Sequence, residues 1–176
     1  LAIVENELVT LSDKIKKLLL EKGHKEVNIS AIKGPCLAAG LANKMRTGTV
    51  IANPNIKEAQ MLKKIIATNY YSTEISNDLI GVELSSAIKN IYSMLIGASE
   101  GLSNSNAPKE IKSKYYLNTS ASLIHRSISE MVEFVSNYGG RAETVYGLAG
   151  LGDLYVSAIG VRNSLMGKYL GDGHLF

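Results

Sequence analysis

Cysteine is nearly missing from this chain, with Cys36 the single example among 176 residues. One thiol excludes an internal disulfide framework and any Cys-rich metal site, and it fits a small side chain in a reducing cytoplasm. Charge of one sign is also lacking. The 19 basic and 16 acidic side chains leave +3 with no run of like charge, too mild a balance for a nucleic-acid arm or a polybasic anchor. A site for one small anion is compatible with it. His24, His125 and His174 lie far apart and make no ligand pair at helical spacing, so they read as structural or solvated and no metal is expected. No apolar run approaches the ~20 residues of a membrane helix, and the acids of Leu1-Ala-Ile-Val-Glu-Asn-Glu come too early for a signal peptide.

What is present is an ordinary globular composition, 45% apolar and 20% charged, at a length that suits a real core. Residues 7–22 carry Leu8, Leu11, Ile15, Leu18 and Leu19 at helical spacing, and Gly23 closes that helix. Residues 27–32 predict a strand running into the Lys33-Gly34-Pro35 turn. Residues 47–52 predict a second strand, 56–67 a helix and 70–75 a third strand. From Asn77 the pattern turns helical: 78–99 and 109–138 are long helix-compatible stretches divided by the polar, turn-rich 101–106. A short helix near 143–146 and a last one over 163–170 follow. The expectation is a mainly α chain with an α/β N-terminal part, the boundary lying near residue 77.

One lysine stands out. On a helical wheel of about 100° per residue, Ile80, Leu84, Ala87, Ile88, Ile91, Met94, Leu95 and Ala98 form a stripe that leaves Lys89 outside it, as a solvated lysine would be. Yet its neighbours at i−4, i−3 and i+4 are Ser85, Ser86 and Ser93, with Gly97 a turn further on. Small residues allow close approach by a backbone or a ligand, so Lys89 equally suits the floor of a polar cleft. The pattern alone leaves both readings open.

The glycine-rich stretch Gly147-Leu-Ala-Gly150-Leu-Gly152-Asp153 lacks the G-x-G-x-x-G spacing of a dinucleotide fingerprint, and Gly160 to Lys168 fails as a P-loop. What remains is a glycine turn that presents Asp153, as a site carboxylate or a helix cap. Arg162-Asn163 then opens a helix. A guanidinium fork beside helix N-terminal amides suits a phosphate or carboxylate, although a surface arginine is the plain alternative.

Together these segments resemble the NAD(P)-dependent glycerol-3-phosphate dehydrogenases. Gly81-Val82-Glu83-Leu84-Ser85-Ser86-Ala87-Ile88-Lys89-Asn90 is similar to the family's G-V-E-L-x-x-A-x-K-N helix. Gly147 to Leu154 resembles its G-L-A-G-L-G-D-L loop, Arg162-Asn163 follows at a familiar spacing, and Gly34-Pro35-Cys36-Leu37-Ala38 resembles G-P-[ST]-x-A. The resemblance implies hydride transfer between NAD or NADP and the pair dihydroxyacetone phosphate / sn-glycerol 3-phosphate, with Lys89 exchanging the proton at the C2 oxygen. A lysine in that role needs a lowered pKa, which burial and nearby donors supply. Asp153 would contact lysine and substrate, Arg162 would clamp phosphate, and Asn90, Asn163 and Ser157 would lie at the substrate. Gly34 would face substrate, and Pro35, Ala38 and again Arg162 the cofactor. The family also implies a cytoplasmic homodimer with a role in glycerol-3-phosphate and phospholipid metabolism.

Departures are visible at Cys36, Gly40 and Val161, where the family usually has Ser/Thr, an acid, and Ser or Gly. The family's opening G-x-G-x-x-G unit is missing, its K-G lysine would fall just before Leu1, and its last helices would follow Phe176. The expectation is therefore the later part of a Rossmann-type nucleotide-binding domain over 1–76, followed by an incomplete helical substrate domain over 77–176. Such a chain would not turn over alone. Two alternatives remain at this stage: a non-catalytic helical dimerisation or partner-binding module, and a dehydrogenase of another hydroxy acid.

Overall fold

The computed structural model describes residues 1–4, 7–106 and 112–175. Two short strands open it: β1 (Ala2–Val4) pairs antiparallel with β2 (Glu7–Val9). The helix expected from residue 7 starts only at α1 (Leu11–Glu21). Thr10 is the reason. Its side chain accepts the Asp13 N–H at 3.2 Å and caps the helix there, which leaves the residues before it free for the β ladder.

The second sheet runs β3 (Ala31–Lys33), β4 (Thr47–Ala52), β5 (Tyr71–Ser76), with β4 in the middle. β3 is antiparallel to β4, pairing Ile32 with Ile51, and β4 is parallel to β5, pairing Val50 with Glu74. The parallel pair needs a crossover, which α3 (Ile56–Ile66) provides from its cap at Asn55. The strand expected over 27–32 shrinks to its last two residues plus Lys33. Asn28 and Ser30 instead accept hydrogen bonds at 2.8 and 2.7 Å from the buried Asn53 amide, so side chains hold that stretch rather than a strand ladder. The loop between β3 and β4 contains a short helix, α2 (Ala38–Ala42).

After Asp78 every element is helical: α4 (Leu79–Asn106), α5 (Lys112–Asn137), α6 (Ala142–Tyr146), a π-helical turn (Leu148–Gly152), α7 (Asp153–Ala158) and α8 (Arg162–Gly171). The expected start of the second long helix, 109–111, lies outside the described residues. Asp78 caps α4. Its Oδ1 accepts the Gly81 N–H at 2.9 Å, while Oδ2 accepts the Arg141 N–H at 2.9 Å and the Thr144 hydroxyl at 2.5 Å. A Cβ on Gly81 would come within 2.0 Å of that carboxylate, so the glycine that opens the G-V-E-L segment is a packing requirement. Glu83, one turn along, accepts the backbone N–H and the hydroxyl of Ser12 and thereby ties α1 to α4.

The turn expected over 101–106 is helical instead. α4 and α8 cross with their backbones in contact, and four glycines make this possible. A Cβ on Gly97 or Gly101 would meet the Ser164 or Lys168 carbonyl at 2.0 or 2.1 Å. One on Gly167 or Gly171 would meet the Met94 or Ala98 carbonyl at 1.9 or 2.1 Å. Tertiary contact thus outweighs the helix-breaking propensity of Gly101.

The main core joins Leu84, Ile88 and Ile96 of α4 to Ile128, Met131 and Val135 of α5, with Val145 of α6 and Leu154 of α7. A smaller cluster of Ala31, Val50, Ala52, Val82 and Ala149 seats the start of α4 and the π-helical turn on the sheet. The wheel's stripe is displaced: Ile80, Ile91 and Leu95 are exposed, whereas Ser85 and Ser93 are fully buried. By length and mean hydropathy α4 is the one described helix long and apolar enough to cross a membrane, and here it is the central packing helix of the bundle.

Candidate active site

Where β3, β5, α4 and α7 converge, a cleft of about 330 Å³ opens. Lys33, Gly34, Thr49, Tyr71, Ser86, Lys89, Asp153 and Ser157 are among the residues lining it. Lys89 reaches it from the middle of α4, with its side chain only 14% exposed, so the solvated reading fails. The wheel misplaces it because α7 packs against α4 on that side and closes over the lysine.

The Lys89 ammonium contacts the Asp153 carboxylate directly, and Asp153 also accepts the Ser86 hydroxyl at 3.4 Å. Asp153 opens α7 straight after the π-helical turn, and its carboxylate is used across the cleft rather than as a cap. Of the glycines in that turn Gly150 has a packing reason, since a Cβ there would strike the Val145 carbonyl at 2.1 Å, whereas one on Gly152 would make only ordinary contact with the Pro35 ring at 3.5 Å. Burial raises the Asp153 pKa above its ordinary 3.8, an effect only partly offset by the Lys89 hydrogen bond and charge, by Ser86 and by Lys33. The pair is therefore an ion pair withdrawn from solvent at the cleft floor.

The remaining expected residues divide. Gly34 lines the cleft at φ +136, a conformation glycine adopts without strain, and its Cα position lies so near Thr49 that a Cβ would sit 3.1 Å from the Thr49 Cα. Ser157 is buried on the α7 wall, and Cys36 is half-buried at the edge. Asn90 and Asn163 join by a 2.8 Å hydrogen bond that links α4 to α8 beside Lys89, but neither lines the cleft. Arg162 is exposed at the first turn of α8, and Ala38 is exposed at the start of α2. Among the described residues no three His, Cys, Asp or Glu side chains are placed to hold a metal ion.

Sequence reasoning missed Lys33 and the Thr49–Tyr71 pair. Lys33 reads as part of a turn, yet it ends β3 and faces the cleft. Thr49 donates to the Tyr71 phenol oxygen at 2.9 Å across neighbouring strands. No local signal marked them: Lys33 closes β3, Tyr71 opens β5 and Thr49 lies within β4, and none belongs to a motif.

Fold and cleft define a mainly α protein whose small sheet and helical bundle meet at a polar cleft. A family model for the C-terminus of NAD-dependent glycerol-3-phosphate dehydrogenase matches residues 78–176, and the chain belongs to that family. It is 33% identical over 169 residues to the NADP(+)-dependent glycerol-3-phosphate dehydrogenase of Archaeoglobus fulgidus, covering 96% of this chain and 48% of that protein. It is 34% identical over 157 residues to the glycerol-3-phosphate dehydrogenase [NAD(P)+] of Rhizobium johnstonii, covering 88% and 45%. Among solved structures, glycerol-3-phosphate dehydrogenase from Coxiella burnetii superposes with a TM-score of 0.77 at 32% identity, covering 90% of this chain and 46% of that one. The Dunaliella salina enzyme shares the fold at a TM-score of 0.80 and 21% identity. The chain spans about half the length of the relatives it matches.

Proposed function

We propose that the protein carrying this chain interconverts dihydroxyacetone phosphate and sn-glycerol 3-phosphate with NAD or NADP, Lys89 exchanging the proton at the C2 oxygen. The observation that carries this reading is the Lys89–Asp153 pair, withdrawn from solvent at the floor of a cleft sized for a small ligand. A module that only dimerises has no use for such a pair.

About 330 Å³ suits a three-carbon phosphate ester and the ring end of a nicotinamide nucleotide, not a whole dinucleotide. The close approach of Gly34 to Thr49 leaves backbone rather than side chain beside the cleft, which suits a flat ring or a small ester. When bound, the nicotinamide supplies or accepts the hydride. This chain's residues do the rest. Lys89 gives a proton to the C2 oxygen in reduction and takes it in oxidation. Asp153 holds the protonated ammonium in place and balances its charge, and Ser86 donates a hydrogen bond that steadies the Asp153 carboxylate. Ser157 offers a hydroxyl from the α7 wall. The Asn90–Asn163 bond fixes the start of α8, where Arg162 meets phosphate. Gly34, Pro35 and Ala38 border the cofactor side.

In this reading 1–76 is the later part of the nucleotide-binding domain and 77–176 the helical substrate domain. The protein acts in the cytoplasm as a homodimer, in keeping with its lone thiol and with the exposed Tyr155, Ile159, Leu165 and Tyr169 of the α7–α8 region. Steady-state kinetics of the full protein test the assignment. Arg162→Ala is expected to raise KM for dihydroxyacetone phosphate at least tenfold while kcat changes less. An unchanged KM removes the phosphate role from Arg162.

A further inference from the structure

Asp78 stands buried between β5 and α4, outside the cleft, and bonds in two directions. Its Oδ1 accepts the Gly81 N–H at 2.9 Å and fixes the first turn of α4, the helix that carries Lys89 about three turns further along. Its Oδ2 accepts the Arg141 N–H at 2.9 Å and the Thr144 hydroxyl at 2.5 Å, which fixes α6. From α6 the chain passes through Gly147 and the π-helical turn to Asp153 at the head of α7. That path has little slack. Val145 is fully buried, and the turn folds back so closely that a Cβ on Gly150 would come within 2.1 Å of the Val145 carbonyl. Gly140, just before α6, lies against the start of α4, where a Cβ would fall 2.7 Å from the Gly81 Cα. The apolar contacts of Leu84, Val145 and Leu154 hold these elements together without fixing a direction, whereas hydrogen bonds to a carboxylate fix one.

We propose that Asp78 and Thr144 are positioning residues of the reaction, which set the register of α4 against α6 and the π-helical turn and thereby align Lys89 with Asp153. The inference rests on the reading of Lys89 as the proton-exchanging group and deepens it by naming what keeps that lysine aimed. Neither residue is among those that line the cleft. Their influence reaches the substrate through the Lys89–Asp153 pair, so it falls on the proton step more than on binding.

Steady-state kinetics of the full protein test it. Thr144→Val keeps the side-chain shape and removes the hydroxyl. It is expected to lower kcat at least tenfold while KM for dihydroxyacetone phosphate changes less than about threefold. Thr144→Ser keeps the donor and should stay within about threefold of the wild-type kcat. Ile128→Ala, a cavity in the α5 part of the core, controls for plain destabilisation and should also stay within about threefold. In a Lys89→Met background Thr144→Val should lower kcat less than about twofold further, because the group it aims is gone. If Thr144→Val keeps kcat within twofold of wild type, the positioning role is overturned and the functional reading stands. The same holds if Ile128→Ala loses as much kcat as Thr144→Val, or if the tenfold loss recurs in Lys89→Met. If wild type reduces dihydroxyacetone phosphate with neither NADH nor NADPH, the functional reading falls and this one with it.

Discussion

The Lys89 ammonium touches the Asp153 carboxylate across the seam between α4 and α7, and the two side chains keep only 14% and 8% of their exposure. Removing one partner leaves the other charge buried without its counterpart. Lys89→Met should cost roughly 3 kcal/mol, Asp153→Asn should cost less because its neutral amide resembles the protonated carboxyl that burial favours, and the double variant should cost less than the sum of the two. Urea unfolding of the four proteins gives the coupling directly. In the full enzyme Lys89→Met should also lower kcat by about 10² or more, as the loss of a proton-exchanging group does.

The raised pKa of Asp153 predicts a pH dependence with a definite sign. Folding favours the protonated carboxyl, so its contribution to stability is fully present below the ordinary value of 3.8 and is lost as pH rises through the higher folded value. Stability of the wild type relative to Asp153→Asn should therefore fall as pH climbs from about 4. Lys89 pulls this pKa down, so in Lys89→Met the fall should be larger and extend to still higher pH. Urea midpoints measured across a pH series check both statements; a flat difference would refute them.

The glycine crossing of α4 and α8 makes Gly167→Ala and Gly97→Ala severe. Each added Cβ falls about 2 Å from a carbonyl oxygen of the facing helix, at 1.9 Å from Met94 and 2.0 Å from Ser164. A loss of roughly 2–3 kcal/mol is expected, because the facing group is backbone and cannot swing away. Gly48→Ala, whose Cβ would meet only side chains at 3.5 Å or more, should be nearly neutral. Thermal unfolding of the three variants tests the contrast. Where α8 shifts, the Asn90–Asn163 bond should break as well, weakening phosphate-ester binding in the same variants.

Asp78 holds α4, α6 and the chain before α6 with one buried carboxylate. Asp78→Ala should cost about 2–3 kcal/mol, the loss of a helix cap plus unmet donors at Arg141 and Thr144. Asp78→Asn keeps the cap to Gly81 but turns an amide N–H toward the other donors, so it should lie between alanine and wild type. Denaturant midpoints decide the order.

The chain carries no G-x-G-x-x-G turn, so on its own it should consume no NADH or NADPH with dihydroxyacetone phosphate. Absorbance at the reduced-nicotinamide band follows this. Turnover by the purified chain would overturn the assigned division of labour.

Much of the fold was legible because local signals agreed with tertiary ones. The strand at Thr47–Ala52 and the helices at Ile56–Ile66 and Arg162–Gly171 stand where periodicity, Asn55 and the glycines place them. The failures come from partners that local pattern does not reveal. Residues 7–9 pair with the strand just before them, while Asn28 and Ser30 bond to Asn53 and Gly101 packs on α8, partners that lie far off in sequence. For the site, spacing and resemblance marked Lys89, Asp153, Asn90 and Asn163, but Lys33 and Tyr71 sat in segments that carry no motif.

Residue order was enough to name the groups with chemistry to offer, because helix periodicity, caps and glycine spacing are local properties of the chain. It could not say which of them share a cavity. A helical wheel gives the direction in which Lys89 points but not what packs there, and the burial of a charge depends on neighbours brought in from distant segments. Asp153 and Ser86, 67 residues apart, meet only after the π-helical turn and α7 dock on α4. Docking excludes water from that seam, and this turned a lysine outside the apolar stripe into one that is paired and enclosed.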